Sequence, residues 1–204
     1  MPIRSKSLEN HPLTLGLLIL LLLCLSALAQ NRQPVRVVIQ TELGDIEVEM
    51  ESGKAPVTVA NFLKYGDGGF YNGGRFHRTV KSDNQPDNKT KIEVVQAGIN
   101  PERAKDGWPP IKLERTNQTG LAHKDGTISM ARSGPHSATS DFFICIGDQP
   151  SLDFGGARNR DGQGFAAFGR VVTGMEVVRK IQAAPAEGQR LTPPVRILAV
   201  RRKR

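Results

Sequence analysis

Residues 126–147 have the sequence GTISMARSGPHSATSDFFICIG, in which two short apolar runs flank a loop rich in Gly, Pro, Ser and Thr. The apolar runs cover residues 127–131 and 142–146. Because the residues between them disfavour a continuous strand, the pattern predicts two strands joined by a loop. Taken alone, the stretch is explained by a core hairpin of an all-β domain, which is common in sandwiches and barrels.

Upstream of this stretch, the sequence predicts another hairpin and then a helix. Residues 35–40 alternate loosely and residues 46–51 alternate strictly between apolar and polar side chains, on either side of a turn. The helix is predicted to begin at Pro56, to place Phe62 on its apolar face and to end at Gly66.

Downstream, the sequence predicts a second helix and a closing strand. Residues 173–176, Thr-Gly-Met-Glu, match a capping box, and Pro185 stops the helix that follows. A last strand is predicted over residues 195–200. Because closure removes exposed sheet edges, the whole pattern predicts an all-β barrel of about eight strands with two helices at its ends.

The first 29 residues are predicted to be a secretory signal peptide. Arg4 and Lys6 precede a leucine-rich run over residues 13–28, and the Ala-Leu-Ala at 27–29 is a small-x-small cleavage site. The mature chain would then begin at Gln30 and be exported to the periplasm or the extracellular space. The alternative is an uncleaved membrane anchor, although the apolar run is shorter than the ~20 residues that a spanning helix needs.

Length and charge fit a single domain after the leader, over residues 30–204, with a short basic tail. The chain has 204 residues and a formal net charge of +8, and its one dense basic run is residues 201–204. We expect at most weak contact of this tail with anionic surfaces. No nucleic-acid partner is expected, because no aromatic side chains are interleaved with these charges.

Cysteine and glycine patterns predict neither a disulfide nor a bound cofactor. Cys24 would leave with the leader, so Cys145 stands alone in an apolar run, where it is expected to be a small buried hydrophobe. The glycine-rich stretches at 66–74 and 152–164 lack the spacing of phosphate-binding and calcium loops. We therefore expect no metal and no cofactor.

Three ordered motifs resemble signatures of the cyclophilin family of peptidyl-prolyl cis-trans isomerases. The first motif consists of Ser-Met-Ala, Gly-Pro and Ser-x-Phe-Phe-Ile, in that order, within residues 126–147. The second is YNGGRFHR at 71–78 with VVQAG at 94–98, and the third is FGRVV at 168–172. The resemblance covers most of residues 35–200 and implies a closed, eight-stranded antiparallel cyclophilin-like barrel with two capping helices and an active groove on its outer face.

The resemblance also implies an enzyme that accelerates rotation about X-Pro bonds. Rotation must overcome amide resonance but breaks no bond, so it requires a dry pocket for the proline ring and a donor for the twisted amide rather than a cofactor. By resemblance, Arg78 is the donor, Gln96 orients it and Phe143 forms the pocket floor. The other substrate-binding residues that the resemblance implies are Val94, Ala131, Arg132, Asp141, Leu152 and Phe165.

Several positions depart from the family pattern. Glu93 stands where a pocket phenylalanine is expected, Arg132 where asparagine is usual, Asp141 where glutamine is usual, and Ser151 where some members have tryptophan. His77 has no neighbouring nucleophile pattern and is given no proton-transfer role.

The expected partners are proline-containing peptides and unfolded client proteins, bound by a monomer that assists the folding of exported proteins. The departures leave one alternative open. It is a non-catalytic cyclophilin-like chaperone or adaptor that binds proline-containing segments.

Overall fold

The computed structural model describes residues 34–203. The predicted signal peptide over residues 1–29 and the last residue of the basic tail, Arg204, lie outside the described residues.

The described residues form nine strands and three α-helices. In chain order they are β1 (Val35–Thr41), β2 (Gly44–Met50), α1 (Pro56–Asp67), β3 (Arg75–Val80), β4 (Val94–Gly98), α2 (Thr116–Thr119), β5 (Thr127–Met130), β6 (Phe142–Cys145), β7 (Ala166–Thr173), α3 (Met175–Ala183), β8 (Ala186–Glu187) and β9 (Arg190–Arg202). Short 3-10 helices cover Pro101–Asp106 and Pro150–Leu152.

The strands form a closed antiparallel barrel in the order β1-β2-β7-β5-β6-β4-β3-β9. Pairing of β1 with β9 closes it, and the two-residue β8 is added alongside β9. The central hairpin is β5 with β6, in the register Ile128 opposite Ile144 and Ser129 opposite Phe143. The predicted eight-stranded closed barrel is therefore confirmed.

Alternation of side chains along the strands separates a core inside the barrel from a smaller cluster outside it. Phe142 and Ile144 of β6 belong to the inner core, whereas Phe143 and Cys145 belong to the outer cluster with Val94 of β4. Successive residues of a strand point to opposite faces, so one strand supplies both clusters. Cys145 is fully buried, as expected for a small hydrophobe.

Helix α1 contributes the central aromatic side chain of the inner core. Pro56 occupies the first turn, and Phe62 lies within 5.2–5.4 Å, ring centre to ring centre, of Tyr71, Phe142 and Phe168. Aromatic contacts of this kind add to the burial of large apolar rings. Helix α1 packs on β7 and β9, and α3 packs on β2, β3 and β4. The two predicted capping helices are both present.

The predicted capping box at residues 173–176 is wrong. Thr173 is the last residue of β7, the helix is capped by Gly174 with a φ of +96°, and no side chain makes a capping hydrogen bond. A Cβ at position 174 would collide with the carbonyl oxygen of Asp45. The close approach of β2 therefore fixes the start of α3 through a left-handed glycine.

The predicted basic tail is mostly part of the barrel. Strand β9 extends to Arg202, so the last strand is longer than the predicted 195–200, and Arg201 and Arg202 pair with β1. Arg202 forms an ion pair with Asp67 at 2.6 Å, and Lys203 with Glu47 at 2.6 Å. Closing the barrel requires a partner for β1, and that pairing overrides the tail-like composition. Binding of anionic surfaces stays a prediction.

Within residues 34–203, no helix is both long and apolar enough to cross a membrane. The same part of the chain holds no group of three or more His, Cys, Asp or Glu side chains that could bind a metal ion.

Candidate active site

A pocket of about 200 Å³ opens on the outer side of strands β3, β4 and β6. It combines an apolar floor with several cationic side chains, as expected for a site that holds an apolar ring beside a polar group. Its lining residues are Arg78, Ile92, Val94, Ala131, Arg132, Phe143, Leu152, Arg158, Asn159 and Phe165. We call this cavity the outer pocket. It brings together seven of the nine predicted site residues.

Phe143 forms the floor of the outer pocket and is held from two sides. The Phe165 ring meets it edge-on with ring centres 5.3 Å apart, and the His123 ring stacks on it at 5.9 Å with an interplanar angle of 16°. Phe143 is 4% exposed and Leu152 is 1% exposed. The floor is therefore rigid and almost dry.

Beneath that floor, His123 links Ser129 to Asp153 in an arrangement that the sequence analysis missed. His123 Nδ1 lies 2.7 Å from Asp153 Oδ1, and Nε2 lies 2.9 Å from Ser129 Oγ. A carboxylate only accepts, so the Nδ1 proton is assigned to this bond. The three residue types match a hydrolase triad, but Ser129 is fully buried and cannot meet a substrate. The arrangement instead supports the pocket floor.

Hydrogen bonds from His123 shift the titration of Asp153. Burial alone would raise the pKa of Asp153, but the His123 ring and the His123 backbone N–H outweigh burial and hold that pKa below its ordinary value. Asp153 follows Leu152 directly in the chain, so the charged hydrogen bond also anchors a pocket residue.

Arg78 lies at the wall of the outer pocket and is held by amide oxygens. Its Nε and Nη2 donate to Gln189 Oε1 at 2.9 and 2.6 Å, and its Nη1 donates to Gln96 Oε1 at 3.0 Å. Burial lowers the pKa of Arg78, although an arginine stays charged at any ordinary pH. Two neutral acceptors thus fix a planar cation without neutralising it.

Gln96 and Asp141 do not line the outer pocket. Gln96 stands behind Arg78, and its Nε2 lies 3.4 Å from Asp141 Oδ2. Burial raises the pKa of Asp141, against the opposing effects of His77 and Gln96. The Asp141 carbonyl accepts a hydrogen bond from the Ala131 N–H at 2.9 Å. Asp141 therefore shapes the loop between β5 and β6 from outside the cavity.

Arg132 lines the outer pocket, but its guanidinium is engaged inside the protein. Its Nη1 and Nη2 bind the two carboxylate oxygens of Asp161 at 2.8 and 3.0 Å, and its Nε donates to the Gly164 carbonyl at 2.7 Å. The side chain is 1% exposed, and the pKa of Asp161 falls to about 2, chiefly through the hydrogen bond from Arg132. Arg132 therefore lines the pocket with its charge already neutralised by Asp161, and its predicted role in binding substrate stays a prediction.

Glu93, which stands where the family pattern has a pocket phenylalanine, does not line the outer pocket. It accepts a hydrogen bond from Gln182 Nε2 at 3.0 Å, while its neighbour Ile92 lines the cavity. The buried amide of Gln85 bonds both the N–H and the carbonyl of Ile92, at 3.3 and 2.8 Å. Gln85 thereby orients this irregular segment so that the Ile92 side chain points into the outer pocket. Ser151 is not a lining residue either.

The sequence analysis missed four residues of this site: Ile92, Arg158, Asn159 and Gln189. Ile92 gave a usable signal, since it is an apolar residue two positions before β4. The others come from polar loops whose residues 158, 159 and 189 carry no periodic pattern. Only the fold brings Gln189 to Arg78, 111 positions away in the chain.

Asp161→Asn is expected to lower the free energy of unfolding by about 2 kcal/mol. The change leaves the buried Arg132 without its counter-charge, which costs ~3–5 kcal/mol in a fully buried pair and less here because Asp161 is 31% exposed. Because the folded-state pKa of Asp161 is depressed, its contribution is complete above the ordinary pKa of ~4 and is lost as pH falls towards 2.

Denaturant unfolding between pH 7 and pH 2 measures this effect. The control is Asp148→Asn, which breaks the exposed ion pair with Lys124 and should change stability far less. Equal losses in the two variants would contradict the structural role of the Arg132 pair.

A family model, described as cyclophilin type peptidyl-prolyl cis-trans isomerase/CLD, matches residues 36–202. Similar proteins include peptidyl-prolyl cis-trans isomerase A of Dickeya dadantii, 42% identical over 152 residues, which cover 74% of this chain and 73% of the relative. Peptidyl-prolyl cis-trans isomerase B of Escherichia coli is 40% identical over 72% of this chain and 83% of its own. A peptidyl-prolyl cis-trans isomerase of Acinetobacter baylyi is 37% identical, with coverages of 80% and 83%.

Solved structures show the same fold at lower identity. A cyclophilin type peptidyl-prolyl cis-trans isomerase of Cryptosporidium parvum has a TM-score of 0.68 and 21% identity, over 84% of this chain and 99% of the other. The same protein determined in the presence of the dipeptide Ala-Pro has a TM-score of 0.67, over 83% and 99%.

Proposed function

The chain belongs to the cyclophilin-type peptidyl-prolyl cis-trans isomerase family, and from this premise we propose that the outer pocket isomerises X-Pro bonds in unfolded, exported proteins. The enzyme is a cofactor-independent isomerase. The observation that carries the assignment of the site is Arg78 at the wall of a cavity whose floor, formed by Phe143, is apolar and almost fully buried.

The outer pocket suits the chemistry of prolyl rotation. Amide resonance sets a barrier of about 18–20 kcal/mol, and the prolyl nitrogen regains its lone pair when the bond is twisted. The apolar floor of Phe143, Leu152 and Val94 holds the proline ring, and Arg78 donates a hydrogen bond that favours the twisted state. Gln96 and Gln189 fix the guanidinium in place, so little reorganisation is needed when the bond rotates.

Proline-containing peptides are the proposed substrates. The relative from Cryptosporidium parvum was determined in the presence of Ala-Pro, and this chain shares its fold. A protease-coupled assay on a short X-Ala-Pro-Phe anilide tests the proposal. We expect isomerisation to be much faster than the uncatalysed reaction, which takes tens to hundreds of seconds. A rate equal to the background would overturn isomerisation at this site, and peptide binding measured in parallel would then favour the adaptor alternative.

Export is proposed from the leader pattern of residues 1–29. The positive start, the leucine-rich run and the Ala-Leu-Ala at 27–29 support cleavage before Gln30. We expect the exported protein to have Gln30 as its first residue, and intact-mass spectrometry of the protein recovered from an exporting host measures it. Recovery of a chain that retains Met1 from the membrane fraction would favour the anchor alternative.

Gln189→Leu is expected to lower kcat on the order of tenfold with a smaller change in KM. Leucine removes the oxygen that accepts two of the three hydrogen bonds of Arg78, so the guanidinium loses its fixed orientation. Gln189→Glu keeps an acceptor for Arg78, but it adds a negative charge and loses the hydrogen bond to the Asn84 carbonyl, so it should restore only part of the rate. The control is Gln118→Leu at an exposed position away from the site. An unchanged kcat in Gln189→Leu would show that Gln96 alone is enough to position Arg78.

A further inference from the structure

A second guanidinium, that of Arg158, faces the outer pocket beside Arg78. Arg158 lies in the loop between the Pro150–Leu152 turn and β7, and it lines the same cavity as Arg78 and Phe143. Its Nη1 donates to Gln85 Oε1 and to the Thr90 carbonyl, both at 2.8 Å. One nitrogen of the side chain is thus tied to the loop between β3 and β4, which holds the guanidinium at the pocket.

Neither arginine has a carboxylate partner in residues 34–203, since the ion pairs of this part of the chain include neither Arg78 nor Arg158. The third arginine of the pocket, Arg132, is neutralised by Asp161. Burial is the larger cause that lowers the pKa of Arg158, and repulsion from the nearby Arg78 is the smaller one. The pocket therefore carries two uncompensated positive charges at a partly dry surface, where charges interact more strongly than in water.

The donors of Arg158 are only partly used by the protein. Within the described residues, its hydrogen bonds engage Nη1 alone, so Nε and Nη2 remain available to a ligand. These two donors form the planar fork that binds a carboxylate through two parallel hydrogen bonds. An acidic side chain of a bound peptide would satisfy the fork and offset the repulsion between the two arginines.

We propose that Arg158 is a specificity-determining residue that makes this isomerase prefer X-Pro segments with Asp or Glu adjacent to the proline. The inference rests on the proposed function of the outer pocket and names the substrate class of that site. The uncompensated charge selects for the acidic side chain, and the apolar floor selects for the proline.

The test measures isomerisation of matched peptides by exchange NMR, which needs no protease and tolerates any residue beside proline. The peptides carry Glu, Gln or Lys either before or after the proline, and rates are compared at low and at raised ionic strength. We expect wild type to favour the better-placed Glu peptide over its Gln counterpart by about fivefold in kcat/KM at low salt, with Lys disfavoured. Arg158→Gln should bring the Glu to Gln ratio close to one, and added salt should weaken the wild-type preference.

The matched control is Arg160→Gln. Arg160 is an exposed arginine of the same loop that does not line the pocket, and its loss changes the net charge by the same amount. It should leave the Glu to Gln ratio unchanged. Arg158→Lys keeps the charge but not the fork, so it should retain a reduced preference, and the thermal midpoint of each variant checks that the loop still folds.

Three results would overturn the inference: no Glu preference in wild type, an unchanged ratio in Arg158→Gln, or an equal fall of the ratio in Arg160→Gln. The first two would leave Arg158 as a clamp between loops, and the third would assign the preference to overall charge. If wild type fails to isomerise even the Gln peptides, the proposed function fails instead. The Glu to Gln ratio is then measured as a ratio of Kd values on the same peptides, by fluorescence anisotropy.

Discussion

Arg78→Ala is expected to reduce kcat/KM about a hundredfold, roughly 3 kcal/mol of transition-state stabilisation, while the protein stays folded. If the guanidinium acts mainly on the twisted amide, kcat and kcat/KM fall together, because the contact is absent from the ground-state complex. The three hydrogen bonds of Arg78 go to Gln96 and Gln189, whose amides can bind water once the arginine is removed. The thermal midpoint should therefore fall by no more than about 4 °C, the shift that ~1 kcal/mol produces in a domain of this size.

Steady-state isomerisation and thermal unfolding of wild type, Arg78→Ala and Arg78→Lys measure this prediction. The lysine variant should recover little activity, because a single ammonium cannot occupy both amide acceptors and still reach the substrate. Arg75→Ala, at an exposed position of the same strand, is the control and should leave the rate unchanged. Full activity in Arg78→Ala would contradict the proposed role of Arg78 and would mean that another group favours the twisted amide.

His123→Ala is expected to lower the free energy of unfolding by about 3 kcal/mol. The substitution leaves a cavity beneath Phe143 and removes both ring hydrogen bonds, so the buried Ser129 hydroxyl loses its partner. Because Phe143 also loses the ring stacked on it, we expect KM to rise more than kcat falls. His77→Ala, at a half-exposed position, is the matched control and should cost far less.

The pH dependence of unfolding separates packing from charge in this prediction. Since the folded-state pKa of Asp153 is depressed, its bond with His123 contributes fully above the ordinary aspartate pKa of ~4 and is lost as pH falls through the folded value. The difference in unfolding free energy between wild type and His123→Ala should shrink towards low pH but not vanish, because the cavity remains. A difference that is constant with pH would show that Asp153 contributes nothing through His123.

Strand alternation and turn residues predicted an all-β barrel with two helices, and the family resemblance added the closed cyclophilin-like topology. The two apolar runs within residues 127–146 became both strands of the central hairpin. Helix α1 was predicted from Pro56 and its apolar face. The start of α3 was not, because Gly174 is required by the approach of Asp45 from a distant strand, and a local Thr-x-x-Glu pattern carries no information about that contact.

The prediction of site residues was more accurate inside the three family motifs than in the segments between them. Seven of the nine named residues line one cavity, and their roles stay predictions until the variants are measured. Outside the motifs, tertiary contacts decide which side chains face the pocket. The amide of Gln85 orients the segment so that Ile92 points into the pocket, while Glu93 accepts a hydrogen bond from Gln182. Gln189 and Arg158 reach the pocket from loops, where neither periodicity nor capping signals constrain a side chain.

The pairing of β1 with β9 has a consequence for how the protein folds. It pairs Val37 with Arg202, so the contacts that close the barrel join opposite ends of the described chain. Bringing such distant segments together costs loop entropy before any contact compensates for it, which slows folding in proteins rich in non-local pairings. Until this pairing forms, β1 and β9 are unpaired edge strands that can pair with other chains. We expect refolding yield to fall as protein concentration rises, because chains whose barrels are still open can pair with one another.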